Sequence, residues 1–214
     1  MTGIRLRFDG HIAGMGTTGG TRIVLGHWVR SPFGPVSDVM LESPGGHRLL
    51  LADTPELAEF VTATYRFDEV HVVAVRVRVV GAAWMVAAAP LRLRFTVGRR
   101  GLWGLLLRRV PRVVARSRAW IGLMDLPARV LVPGVRTRGS AGNARREWYG
   151  VHDLHPVTAL TATFDGGDLG RLAAVDPPVR FGFSSVPRSP ALVRVTTTVA
   201  CPGSRGAVAL WPRT

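Results

Sequence analysis

The densest collection of chemically capable side chains lies in "REWYGVHDLHP", residues 146–156, where Glu147, His152, Asp153 and His155 fall within nine positions. Histidine titrates near neutrality and a neighbouring carboxylate fixes its tautomer, so a His–Asp pair here suits general acid–base work. The same residues could ligate a metal only with a third ligand brought in by the fold, Glu147 or His71, because His-x-x-His alone is no metal motif. In an extended segment Asp153 and His155 point the same way and His152 points opposite. Gly150 and Pro156 argue against a helix; the alternative reading is a polar turn with Trp148 and Tyr149 packed beneath it.

A second candidate is Gly14-x-Gly16-x-x-Gly19, the spacing of a dinucleotide-binding loop, with Asp38 placed where a ribose-binding acid would stand. That loop needs a helix N-terminus immediately after it, because aligned helix amides hold the pyrophosphate. "TRIVLGHWV" is β-branched and interrupted by Gly26, so it reads as a strand. What remains is a glycine-rich connection between two strands, near His11 and Arg22, able to form the lip of a pocket; no cofactor is implied.

Ser184 and Ser185 offer hydroxyls that His152 or His155 could activate, but no G-x-S-x-G elbow exists in the chain. Cys201 stands alone at a strand end, with nothing nearby to lower its pKa. All 28 basic residues are Arg. Side-chain Schiff-base chemistry, a Lys general base and a P-loop Lys are therefore excluded.

The elements that must position these residues read mainly as strands. Ile4, Leu6 and Phe8 alternate with Arg5, Arg7 and Asp9, and Leu91, Leu93, Phe95 and Val97 alternate with Arg92, Arg94 and Thr96. Residues 70–80 place Val73, Val75, Val77 and Val79 opposite Arg76 and Arg78. "SDVMLE", "SPGG" and "HRLLLAD" form a hairpin. Further strands are expected at 21–29, 83–89, 128–132, 158–164, 179–183 and 192–199.

Two helical segments interrupt them. One, 55–65, has Thr54 as N-cap and Pro55 at its first position. The other, 101–124, gathers Arg108, Arg109, Arg112 and Arg116 on one face and Trp103, Leu106, Leu107, Val110 and Trp120 on the other, with a kink at Pro111. Strands without regular intervening helices predict an antiparallel β-barrel or closed β-sandwich of about ten strands. It is read as a single domain spanning 1–214, with a helical insertion at 101–124 and an exposed loop at 136–147. The strand-rich pattern resembles that of lipocalin-like and decarboxylase-like barrels, a likeness of fold that transfers no residues. Acetoacetate-decarboxylase chemistry would need a catalytic Lys.

The net charge of +14 favours anionic partners. A barrel of this size can receive a small, partly apolar, anionic ligand such as a lipid- or polyketide-like acid. Arg22, Arg76 and Arg78 are the expected rim cations, with Trp84, Trp148 and Tyr149 as aromatic contacts. The basic helix 101–124 matches a surface lying on acidic lipid, through Arg108, Arg109, Arg112 and Arg116. Nucleic acid is not favoured, for no RNP1 sequence, zinc finger or helix-turn-helix is present. The single Cys and the lack of a signal-like N-terminus lead to a cytoplasmic expectation, peripheral to the inner face of the membrane if the helix binds lipid. The longest apolar run, 79–90, falls short of the roughly 20 residues a membrane span needs.

Overall fold

The computed structural model describes residues 4–101, 138–140, 146–182 and 186–201. Four strands open the chain as an antiparallel series: β1 (Ile4–Thr17), β2 (Arg22–Arg30), β3 (Val36–Glu42) and β4 (Arg48–Ala52). Helix α1 (Pro55–Thr62) begins where expected, the Thr54 hydroxyl accepting from Leu57 N–H at 3.2 Å. β5 (Glu69–Val72) then runs parallel to β4, and β6 (Arg76–Val80), β7 (Ala83–Ala88) and β8 (Leu91–Val97) form an antiparallel meander. β9 (Arg138–Ser140), the long β10 (Arg146–Phe164), the short β11 (Gly167–Asp168) and β12 (Leu172–Ala173), and β13 (Ala191–Cys201) complete the described strands.

Ten of these strands are hydrogen-bonded in the order β5-β4-β3-β2-β1-β13-β10-β8-β7-β6. Its two ends, β5 and β6, are separated in sequence only by residues 73–75. Four Cα steps span at most ~15 Å, so the sheet must curl until its edges approach each other. The result is the expected mainly β architecture, a curled antiparallel half-barrel with one parallel pair. Residues 70–80 are consequently two strands rather than one.

β10 joins the halves of the sheet. Residues 146–156 pair with β13, and 157–164 pair with β8. The cluster at 147–155 thus lies inside a strand, not on a polar turn. Residues 138–140 and 146–147, within the segment expected to loop, are paired strand as well. Residues 179–182 are irregular. Residues 102–124 of the expected helical segment with their arginines, the strand at 128–132, and Ser184 and Ser185 all lie outside the described residues.

Each face of the sheet has its own core. On the inner face Ala13, Met15, Leu25, Val39 and Leu51 meet Trp84, Val86, Leu93 and Phe95 from the other end of the sheet. On the outer face Leu57, Ala58 and Val61 of α1 pack on Val36, Leu50 and Ala52. Val175, Val179 and Phe181 cover Val24 nearby.

The glycines of the dinucleotide-like spacing belong mostly to β1. A Cβ on Gly14 would overlap the Val186 side chain, and one on Gly16 would overlap the Ala174 carbonyl. They permit close approach of the covering segment. Only Thr18–Gly20 form the turn, Gly20 at φ +84. β2 follows directly, so no helix dipole faces them.

Candidate functional site

A cavity of about 810 Å³ lies on the inner face where β1, β13 and β10 run side by side. Cross-strand register explains its make-up. His27, His11, Arg194 and Asp153 follow one another across β2, β1, β13 and β10 as paired neighbours. His11, Arg194 and Asp153 line the cavity with His152 and His155, beside Trp84, Val97 and Leu192, and Arg99 and Arg100 complete the wall.

A bulge in β10 decides which side chains enter. Val151 pairs with Val195 and Asp153 with Arg194, leaving His152 as an extra residue. The bulge breaks the alternation that would have put His152 and Asp153 on opposite faces. His152, Asp153 and His155 therefore line one cavity, a correction to the expectation that His152 opposes the other two.

Both histidines of the bulged segment have assigned proton positions. Thr196 Oγ1 donates to Asp9 Oδ1 at 2.6 Å, so its oxygen accepts from His152 Nε2 at 2.8 Å. His155 Nδ1 donates to the Gly98 carbonyl at 3.0 Å, which leaves Nε2 facing Asp153 Oδ2 at 3.5 Å. Asp153 is held by Arg100, whose Nε lies 3.0 Å from each carboxylate oxygen and whose Nη2 lies 2.8 Å from Oδ2. Burial alone would raise the Asp153 carboxyl; the guanidinium outweighs it and holds the group below the usual carboxylate range.

The floor of the cavity is different. The His11 ring packs edge-on against Trp84 at 5.3 Å, and its Nδ1 is buried without a hydrogen-bond partner. Burial first, then the charges of His27 and Arg194, lower its pKa to about 4. His27, held by Ser37 Oγ at 2.9 Å, is lowered by burial alone. Arg194 Nε is likewise buried and unpartnered. Among the described residues the Arg194 guanidinium makes no hydrogen bond or ion pair.

Several residues expected at the site are elsewhere. Glu147 faces the outer side of the sheet, where the hydroxyls of Tyr149 and Tyr65 donate to Oε2 at 2.7 and 2.8 Å. Burial, with the neighbouring Glu147 charge, pushes both phenols well above their ordinary value. Tyr149 is thus removed from the cavity, and the four-residue cluster is split by the sheet. Arg22 is buried against Glu42, Nη2 to Oε1 at 2.9 Å, rather than set at a rim. Arg76 and Arg78 are exposed on the edge strand β6, and Trp148, half-buried, is not among the lining residues. Of the six expected ligand contacts, Trp84 alone lines the cavity.

His71 pairs with Glu69 at 2.6 Å on the far edge of the sheet, out of reach of His152 and His155. Among the described residues no three His, Cys, Asp or Glu are grouped to hold a metal ion. No described helix is long and apolar enough to cross a membrane. His11, Arg99, Arg100 and Arg194 line the cavity without having been expected there. The available signal was a lone His and a lone Arg on the alternating faces of "FDGHIAGM" and "ALVRVTTTV".

Fold and site together define a class: a curled antiparallel half-barrel with a cation-rich cavity on its inner face. No protein-family model matches the chain, and no curated protein matches it. Among solved structures it is similar to acetoacetate decarboxylase from Legionella pneumophila. The TM-score is 0.45 at 8% identity, over 95% of this chain and 87% of that one. At that score the likeness transfers neither residue nor activity.

Proposed function

We propose that the chain is a binding module whose inner-face cavity takes a small, partly apolar, anionic ligand, a lipid- or polyketide-like acid. One observation carries the reading. Among the described lining residues, three guanidinium groups, Arg99, Arg100 and Arg194, stand against the single carboxylate of Asp153, beside the apolar surfaces of Trp84, Val97 and Leu192. Such a balance favours an anion with an apolar body. A volume of about 810 Å³ falls in the range of small-molecule sites. Native mass spectrometry of protein purified without detergent is expected to find a co-purified acid of a few hundred daltons, as an order-of-magnitude size for such a site. A ligand-free protein whose experimentally determined structure fills the cavity with side chains contradicts the proposal.

A second reading is favoured by the His152–Thr196–Asp9 relay. It holds His152 in the Nε2–H form with a carboxylate behind the hydroxyl, an arrangement suited to moving a proton on a bound molecule. If the co-purified molecule is a substrate, it is converted on incubation at neutral pH, and both His152→Gln and Thr196→Val slow that conversion. Release of the molecule chemically unchanged overturns this reading and leaves the binding proposal standing.

A further inference from the structure

We propose that Arg194 and His11 form a two-point anchor for a carboxylic acid carrying an oxygen substituent beside its carboxyl group, a 2-hydroxy acid being the simplest member. The inference rests on the cavity reading and specifies the chemistry of its floor.

Arg194 and His11 are register partners on β13 and β1, so their side chains rise next to each other on the inner face. Each has a buried nitrogen with no hydrogen-bond partner, Arg194 Nε and His11 Nδ1, and both side chains line the same cavity. Asp153, the cross-strand neighbour of Arg194 on its other side, is already gripped by Arg100 through Nε and Nη2. Arg194 is thus a cation held beside a cavity with no ion-pair partner among the described residues. A guanidinium offers parallel donors that match a carboxylate bidentately.

His11 supplies the second point. Kept uncharged above pH 5 by burial and by the cations beside it, it presents one donor and one acceptor nitrogen. A hydroxyl, both donor and acceptor, can pair with a ring nitrogen of His11 in either tautomer. An ammonium substituent is opposed by Arg99, Arg100 and Arg194, which argues against amino acids. The tail of the acid would lie along Trp84, Val97 and Leu192.

Calorimetric titration with 2-hydroxyoctanoate, octanoate and 1-octanol tests the anchor. The wild type is expected to bind octanoate at least about tenfold more tightly than 1-octanol, the order of a hydrogen bond to a charged group. It should bind the 2-hydroxy acid several-fold more tightly again, roughly one neutral hydrogen bond. Arg194→Ala should erase the preference for acid over alcohol, and Arg194→Lys should restore part of it. His11→Phe should erase only the preference for the hydroxyl. Octanol binding as tightly as octanoate, or an Arg194→Ala protein that still prefers the acid, overturns the carboxylate point. Equal binding of the two acids overturns the His11 point. Failure of all three probes to bind, the alcohol included, contradicts the cavity reading itself.

Discussion

Two arginines on neighbouring stretches of the same sheet meet opposite fates. At the start of β2, Arg22 is 3% exposed and its guanidinium lies 2.9 Å from the fully buried Glu42. Arg180 grips the same carboxylate from the covering segment, through Nε at 2.8 Å and its backbone N–H at 2.7 Å. Arg22 Nη1 and Nη2 also reach the carbonyls of Gly20 and Ser43, leaving only Nε over. On β13, Arg194 stands between His11 and Asp153 and has no hydrogen bond or ion pair among the described residues. The first arrangement is closed and belongs to the fold. The second is open toward a cavity, and the difference marks where a ligand's charge would complete the structure.

The largest expected effect tests the closed region. Burial works against the charged form of Glu42, but the guanidiniums of Arg180 and Arg22 outweigh it and hold its carboxyl below the ordinary value. Glu42→Ala would strand Arg22 without its counter-charge, at a cost of about 3–5 kcal/mol. Urea denaturation measures it, and a loss under 1 kcal/mol would mean that the pair does not organise this end of the sheet.

Asp38 provides an intermediate case, buried on the outer face with the Trp28 indole N–H donating to it at 3.1 Å. Burial raises its pKa to about 7, partly offset by that hydrogen bond. The folded chain therefore keeps a proton that the unfolded chain releases near pH 4. Stability contributed by this group falls as pH rises from about 4 to about 7 and levels off above, by up to roughly 4 kcal/mol at 1.36 kcal/mol per unit. Asp38→Asn keeps an acceptor for Trp28 and should flatten that slope. Urea midpoints at pH 4 and pH 8 check it; an unchanged difference between the two would contradict the assignment.

Much of this frame was legible in the chain itself. The alternation in "IRLRFD" and "LRLRFTV" becomes β1 and β8, and Thr54 caps α1 ahead of Pro55 as the capping chemistry requires. The two-strand outcome at 70–80 was not legible, because Val/Arg alternation continues through 73–75 while the topology carries the chain from one sheet edge to the other. The site was half legible. His152, Asp153 and His155 do meet at a cavity, but only because of a bulge that no residue type announces. Glu147 left the cluster because it and Tyr149 alternate onto the outer face, where Tyr65 awaits them. Gly150 and Pro156 spoke against a helix, and both sit in β10, opposite Thr196 and Ala191. Arg22 and Arg194 look alike in sequence; only the arrival of Glu42 beside one and of a cavity beside the other separates them.

The most direct measurement sets Arg194→Ala beside Arg22→Ala, each read by urea denaturation and by octanoate titration. Removing Arg22 leaves Glu42 short of one cation, and the account predicts a loss of about 3 kcal/mol or more with octanoate binding retained in the folded protein. Removing Arg194 breaks no hydrogen bond or ion pair among the described residues, so stability should stay within about 0.5 kcal/mol while octanoate affinity falls at least about tenfold. An Arg194→Ala protein that binds octanoate as the wild type does would contradict the account.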